Sequence, residues 1–293
     1  MIADLTVVIP AYNAESTIRE AISSAQLAGA ARVIVVDDGS TDATANLAAA
    51  CGAEVHTQEN SGAYVARATG SSLLESGYVI FLDADDLLIP EGVKNSVLAL
   101  DEAPAVAVAA GVVVGFSRSS TRKTKFPIRY SPVNTHSLLT EGYGPWPPCN
   151  AVVRVSALRK AEQAAPEPLR PRYGDDYELL LRLSREGYIS VRDEATSLYC
   201  MDGGKSVKSA ESAIRSKELI RAHYSNAYGI AIRPMTEREI LQSTQARIAR
   251  AALSASRPVA LIGAAWRWIW SDPRAAAARV GKHFRGLRSR SER

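Results

Sequence analysis

Three stretches are almost continuously apolar: Leu5-Thr6-Val7-Val8-Ile9, Val33-Ile34-Val35-Val36 and Tyr78-Val79-Ile80-Phe81-Leu82. A strand with one face in water alternates apolar and polar residues, so a run without alternation reads as a strand buried on both faces. Each run stops abruptly, at Pro10, at Asp37-Asp38 and at Asp83-Ala84-Asp85-Asp86. A fourth, shorter strand is expected at 54–57. Between the runs the spacing is helical. Asn13 is placed to cap a helix to about Leu27, with Ile18 and Ile22 on one face. A second helix passes through Leu47 and closes at Gly52. A third opens at Asn60-Ser61-Gly62, carries Arg67 in its second turn and ends at Gly77, and a fourth starts at Pro90. Strand and helix alternating with short links predict an α/β fold: a Rossmann-like, mostly parallel sheet with helices on both faces. Parallel strands end on one edge, so Asp38 and Asp83 are expected on the same side, where open α/β sheets bind ligands.

The second half is less regular. A strand is expected over 105–116, a long polar loop or lid over 117–137, a proline-stiffened segment around Trp146 and a strand over 150–155. Ser156 opens a short helix. Gly174-Asp175-Asp176-Tyr177-Glu178 begins another that ends at Gly187, followed by strands at 188–192 and 196–201. Past residue 208 the pattern becomes helical with polar and basic faces, at 212–228 and 236–255. An apolar stretch, 259–270, then contains Trp266, Trp268 and Trp270. The expected division is 1–208, with halves 1–104 and 105–208, and a helical extension 209–293.

Charge changes the picture at the end of the chain. The total is +4. From Arg274 onward seven Lys and Arg stand against Glu292, a net +6, which leaves −2 for the rest. A basic body would have pointed to nucleic acid; a basic tail after a tryptophan-rich helix points to an anionic membrane surface through 259–293, or to a helix packed back on the domain. No secretory leader and no run long enough to span a bilayer is expected. Three scattered cysteines, Cys51, Cys149 and Cys200, argue against a disulfide framework or a zinc site and fit a reducing compartment.

Clustered carboxylates at a strand end repel one another unless a cation or hydrogen-bond donors neutralise them. Asp83-Ala84-Asp85 therefore reads as a site for a divalent metal, or as an acidic loop at the start of the next helix. Asp175 and Asp176 read as paired helix caps or as an acid–base group. Trp146, in the proline-stiffened segment, reads as a ring that stacks on a ligand or as a buried structural residue.

Taken together, Val7-Val8-Ile9-Pro10-Ala11-Tyr12-Asn13-Ala14-Glu15, Val35-Val36-Asp37-Asp38-Gly39-Ser40-Thr41-Asp42 and Phe81-Leu82-Asp83-Ala84-Asp85-Asp86 resemble the family 2 glycosyltransferases of the GT-A fold. The resemblance implies an inverting transfer from a nucleotide-diphosphate sugar, a UDP-sugar by preference, to an acceptor hydroxyl on a glycan or lipid-linked molecule. The setting would be polysaccharide, glycolipid or cell-envelope glycan synthesis in the cytoplasm, at the inner face of the plasma membrane. It implies Pro10, Ala11, Tyr12, Glu15, Asp38, Arg67, Asp83, Ala84 and Asp85 around the donor. Asp38 would read the base, Arg67 would pair with the diphosphate, and Asp85 would hold Mn²⁺ or Mg²⁺, with Asp83 and Asp202 as further candidate ligands. Asp176 is implied as the general base, with Asp175 and Trp146 near the acceptor. The chain departs from the family where a histidine is common: Tyr199-Cys200-Met201-Asp202-Gly203-Gly204-Lys205 contains none, leaving Asp202 as a ligand or Lys205 over the diphosphate. Two other readings stand beside this one. A nucleotidyltransferase also uses strand-end acids, but the acidic, glycine-free 10–15 stretch lacks its phosphate loop. A non-catalytic nucleotide-sugar-binding protein of the same fold is the other.

Overall fold

The computed structural model describes residues 2–118, 120–145, 151–202, 209–254 and 258–273. The first half reads β1 (Ile2–Ala11), α1 (Ile18–Leu27), β2 (Ala30–Asp37), α2 (Thr44–Ala50), β3 (Glu54–Thr57), α3 (Ala63–Ser72), β4 (Tyr78–Phe81), β5 (Leu87–Leu88) and α4 (Pro90–Glu102). The second half reads β6 (Val106–Ser117), β7 (Ser120–Phe126), α5 (Thr135–Glu141), β8 (Ala151–Arg154), α6 (Val155–Gln163), α7 (Asp175–Leu183) and β9 (Tyr188–Cys200). Three further helices follow: α8 (Ala210–Tyr228), α9 (Glu237–Ser254) and α10 (Pro258–Ser271).

Among the described residues one sheet runs in the order β3-β2-β1-β4-β8-β6-β9-β5, with β7 on β6. The half from β3 to β4 is parallel, as expected. The other half is mixed: β8 runs antiparallel to both β4 and β6, while β6 and β9 are parallel. The apolar runs divide their side chains between two faces. Val7, Ile9, Val35 and Ile80 join α1 and α4 in one core, and Val8, Ile34, Val36 and Val79 join α3, α6 and α7 in the other. Period two is present in the geometry but hidden in the sequence, because helices cover both faces. Each fully buried Ile or Leu here stabilises the fold by about 1.5–3 kcal/mol.

Three expectations about elements are corrected. Residues 117–137 are not a loop: β7 pairs antiparallel with β6, and Asn134 opens α5 with a reciprocal capping box to Ser137. Lys123 and Lys125 are exposed on β7, and polar composition is what an edge strand uses to avoid pairing with other chains. The two strands expected between 188 and 201 are one, β9. Asn13 does not cap a helix: α1 starts at Ile18, and Asn13 sits in the left-handed region at φ 49°. Gly70 lets α3 close on the sheet, since a Cβ there would lie 2.3 Å from Val8 Cγ1. That approach sets the height of Arg67, three positions earlier on the same helix. Ile220 and Tyr224 of α8 are fully buried in the core shared with α5 and α7.

Candidate active site

The loops after β1 and β2 are sewn together. The Asn13 N–H donates to Ser40 Oγ at 2.9 Å, and the Thr41 N–H donates to Asn13 Oδ1 at 2.9 Å. Ala14 donates to Thr44 Oγ1 at 2.7 Å, and Glu15 donates its N–H to Asp42 Oδ2 at 3.1 Å. The Glu15 carboxylate accepts from the Ala43 N–H at 3.1 Å, so it closes the start of α2. Pro10 and Ala11 end β1 beside Val36 and Asp37, and the Tyr12 side chain is exposed.

Asp38 is buried and well supplied with donors. Its carboxylate accepts from Gln58 Nε2 at 2.8 Å, from the Ser61 N–H at 2.9 Å and from the Gly62 N–H at 2.8 Å. It thereby shapes the turn that begins α3, where Gly62 takes a φ of 92°. Asp37 beside it is also buried, and its Oδ1 has no hydrogen-bond partner among the described residues.

The turn after β4 is closed by the Asp86 N–H donating to the Asp83 carbonyl at 3.0 Å. Its acids diverge. Asp86 is fully buried and accepts from the Cys200 N–H at 2.7 Å, tying the end of β9 to this turn; it does not cap α4, whose N-cap is Ile89. Ala84 packs against the α1/α4 core. Asp85 is exposed, and its charge bears on Arg118 and Cys200.

Asp83 faces the other way. Arg67 Nη2 donates to Asp83 Oδ1 at 2.5 Å, and Arg67 Nη1 donates to Asp175 Oδ2. The guanidinium expected on a diphosphate is thus held between two carboxylates. Burial works against its charge, but Asp83, Asp175 and Asp176 together push Arg67 above its ordinary value. Burial pushes the Asp175 carboxyl up, against Arg67, with Asp176 and Asp83 adding to the rise.

Asp175 and Asp176 open α7 behind Gly174, which is left-handed at φ 80°. Neither acid caps the helix through its side chain. The helix is anchored beneath by Glu178, which accepts from the Leu169 N–H at 2.7 Å and from the Tyr224 hydroxyl at 2.6 Å. Arg182 donates to Tyr224 at 3.0 Å and to the carbonyls of Ala161, Ala164 and Pro166. Lys217 of α8 and Arg247 of α9 lie within electrostatic reach of Asp176. Neither stands out in the sequence, because both sit on polar helical faces of the kind that water commonly covers.

Asp202 accepts from Ser117 Oγ at 2.5 Å and from the Arg118 N–H at 2.6 Å, so it secures the β6–β7 turn. Those bonds hold its carboxyl below the ordinary carboxylate value. Arg118 reaches Glu20 at 3.0 Å and Cys200 Sγ at 3.2 Å. Trp146 and Lys205 lie outside the described residues.

Among the described residues no three His, Cys, Asp or Glu side chains gather as a ready-made cation site. Mg²⁺ and Mn²⁺ commonly take one or two protein carboxylates and complete their shells with water and phosphate oxygens. The exposed Asp85 carboxylate, on a turn fixed at both ends, fits that kind of binding.

A parallel half-sheet whose strand ends share one edge is where open α/β proteins bind their ligands. The model of the glycosyl transferase family 2 matches residues 6–161, more than half of the chain, and the chain belongs to that family. It is 34% identical over 98 residues to glycosyltransferase GlyA of Streptococcus pneumoniae, covering 31% of this chain and 14% of that protein. It is 38% identical over 94 residues to succinoglycan biosynthesis protein ExoU of Rhizobium meliloti, covering 30% of this chain and 28% of that one. The matched segments thus span less than a third of these relatives. The fold is similar to S. aureus TarS 1–349 in complex with UDP-GlcNAc, with TM-score 0.58, 20% identity, and 94% of this chain and 83% of that one covered. It is also similar to glucosyl-3-phosphoglycerate synthase from Mycobacterium tuberculosis in complex with Mn²⁺, UDP and glucosyl-3-phosphoglycerate. There the TM-score is 0.52 at 23% identity, over 78% of this chain and 80% of that one.

Proposed function

We propose that this chain transfers a sugar from a nucleotide-diphosphate sugar, a UDP-sugar by preference, to an acceptor hydroxyl with inversion at the anomeric carbon. The observation that carries the reading is the single guanidinium of Arg67 shared by Asp83 at the end of β4 and Asp175 at the start of α7. It joins the strand-end acids to the helix-start acids in one place, as a transfer between two bound molecules requires.

In this reading the donor lies along the edge formed by Pro10, Ala11, Tyr12, Asp38, Asp83, Ala84 and Asp85, with residues 1–104 as the donor half and 105–208 as the acceptor half. Glu15 acts there by holding the loop that carries Tyr12. Asp38 serves the base either directly or by fixing the 58–62 turn. Asp85, helped by Asp83, would hold Mn²⁺ or Mg²⁺, which would supply positive charge to a leaving diphosphate. Asp202 keeps its hairpin role beside that centre. Arg67 fixes Asp83 and Asp175 in position. Asp176 accepts the proton of the acceptor hydroxyl as that oxygen attacks the anomeric carbon from the face opposite the diphosphate. Asp175 borders the acceptor.

The relatives fit this reading: one solved structure holds UDP-GlcNAc, another holds Mn²⁺ with UDP, and ExoU is named for succinoglycan biosynthesis. A panel of nucleotide sugars in a thermal-shift assay, with and without Mn²⁺, tests it. Stabilisation by one donor, greater with metal, supports the proposal; no response to any donor overturns it.

The extension 209–293 is proposed as a peripheral anchor on anionic membrane at the inner face of the plasma membrane, which brings a glycan or lipid-linked acceptor close. Ile262, Trp266, Ile269 and Trp270 are exposed on α10, one turn or two apart, and a basic stretch follows. No helix among the described residues is long and apolar enough to cross a membrane.

A further inference from the structure

Two guanidinium groups stand beside the turn that carries Asp83 and Asp85, and they are held very differently. Arg67 rises from α3 and is clamped between the Asp83 and Asp175 carboxylates. Arg118 follows the end of β6 and reaches Glu20 of α1, the helix that covers the other face of the sheet. Its Nη1 donates to Cys200 Sγ at 3.2 Å, and the Cys200 N–H donates to Asp86 Oδ1 at 2.7 Å. A single residue, Cys200, therefore links the Arg118 guanidinium to the 83–86 turn.

The backbone of Arg118 is fixed. Its N–H donates to Asp202 Oδ2 at 2.6 Å, and the Met201 N–H donates to the Phe116 carbonyl at 2.9 Å, which ties the end of β6 to the end of β9. The side chain is held more lightly. Burial pushes the Cys200 thiol up, so it stays protonated, and a neutral thiol is a weak acceptor. Glu20 Oε2 accepts from Arg118 Nη2 at 3.0 Å, but the Glu20 side chain is 59% exposed, and ion pairs so open to water contribute little. The Phe116 ring, centred 5.5 Å from the guanidinium carbon, backs the fork on one side. A planar fork on a fixed backbone, with an exchangeable surface partner, suits an oxyanion that it can grip through two N–H groups at once. The proposed reaction brings a diphosphate to this turn, where Asp85 is exposed. The positive charge of Arg67 is already divided between two carboxylates, so a diphosphate arriving beside further acids needs another cation.

We propose that Arg118 binds the diphosphate of the donor, giving up its bond to Glu20 as the donor enters and keeping its backbone bond to Asp202. The inference rests on the glycosyltransferase reading and names the side chain that meets the leaving group of that reaction. It moves the diphosphate contact from Arg67 on α3 to the β6–β7 turn, and it makes Asp202 the residue that positions that turn. Glu20 then competes with the diphosphate for one cation.

The test uses the full chain with Mg²⁺, titrated with UDP by calorimetry and with uridine by ligand-observed NMR. Arg118→Gln should weaken UDP binding about tenfold or more and leave uridine binding within about twofold. Arg118→Lys keeps the charge but loses the fork, and should fall between Arg118→Gln and wild type. Glu20→Gln should tighten UDP binding severalfold, because the competing anion is gone; a purely structural Glu20–Arg118 pair would give no such gain. Melting temperatures close to that of wild type certify that the variants are folded. Unchanged UDP affinity in Arg118→Gln overturns the inference, as does an equal loss for uridine or a weakening of UDP binding by Glu20→Gln. A wild-type chain that binds uridine and UDP equally well keeps a nucleoside site and overturns the inference alone. One that binds neither removes the UDP-sugar reading and this inference with it.

Discussion

Arg67 on α3 and Asp175 at the first position of α7 are paired across 108 positions of the chain, and the same guanidinium holds Asp83 at 2.5 Å. Removing the cation leaves two carboxylates facing each other in a largely dry place. Breaking such a buried pair from one side costs about 3 kcal/mol or more. Arg67→Met should therefore lower stability to chemical denaturation by about that amount. Arg67→Met combined with Asp175→Asn should lose less than the single variant, because the stranded charge is gone. Equal stability of Arg67→Met and wild type would remove the ion pair from the account.

The height of Arg67 above the sheet depends on Gly70. A methyl group there meets Val8, a side chain fully enclosed in the core. Gly70→Ala should cost about 1–3 kcal/mol through overpacking. It should also reduce transfer, by lifting Arg67 from its two carboxylates. A melting temperature equal to that of wild type would show that α3 has room the structure does not contain.

How much of this was legible in the sequence differs from residue to residue. The apolar runs ending at Asp38 and Asp83 announced a strand edge lined with acids, because burial on both faces leaves an unmistakable pattern. The doublet Asp175-Asp176 behind Gly174 announced a helix start. What no local pattern carries is a partner 108 residues away, so the sequence alone points the Arg67 guanidinium at a ligand rather than at two carboxylates. The backbone ties of Asp86 and Asp202 are hidden for the same reason. Each accepts from a backbone N–H or a hydroxyl far along the chain, Cys200 for one and Ser117 for the other. β7 is hidden because an edge strand can be polar throughout.

Acid should loosen α9 before the sheet. Thr236 and Glu239 form a reciprocal cap: Glu239 Oε2 accepts from the Thr236 N–H at 2.8 Å, and the Glu239 N–H donates to Thr236 Oγ1 at 3.3 Å. The side-chain bond from Arg233, then the Thr236 backbone, lower the Glu239 carboxyl from 4.5 to about 2. A depressed carboxyl binds fewer protons when folded, so its stabilisation is complete above pH 4.5 and is lost as pH falls toward about 2. Helicity followed by circular dichroism should show Glu239→Gln losing less between pH 5 and 3 than wild type does. Identical acid profiles would contradict the cap.

The proposed membrane contact is made by the exposed stripe on α10 and the basic residues of 274–293. Deleting 274–293 removes a net charge of +6 and should weaken binding to vesicles containing phosphatidylserine by tenfold or more, at about 1 kcal/mol for each basic residue near the surface. Trp266→Ala together with Trp270→Ala should weaken it further. Binding unchanged by either would mean that this helix meets something other than lipid.

The central claim, that Asp176 is the base in a sugar transfer, is tested most directly by Asp176→Asn. The measurement is the rate of transfer from the donor found by the thermal-shift panel, alongside the affinity for that donor. A fall in rate of about 10²–10⁴-fold is expected, with donor affinity essentially unchanged. Transfer at the wild-type rate, or a collapse of donor affinity in place of the rate, would contradict it.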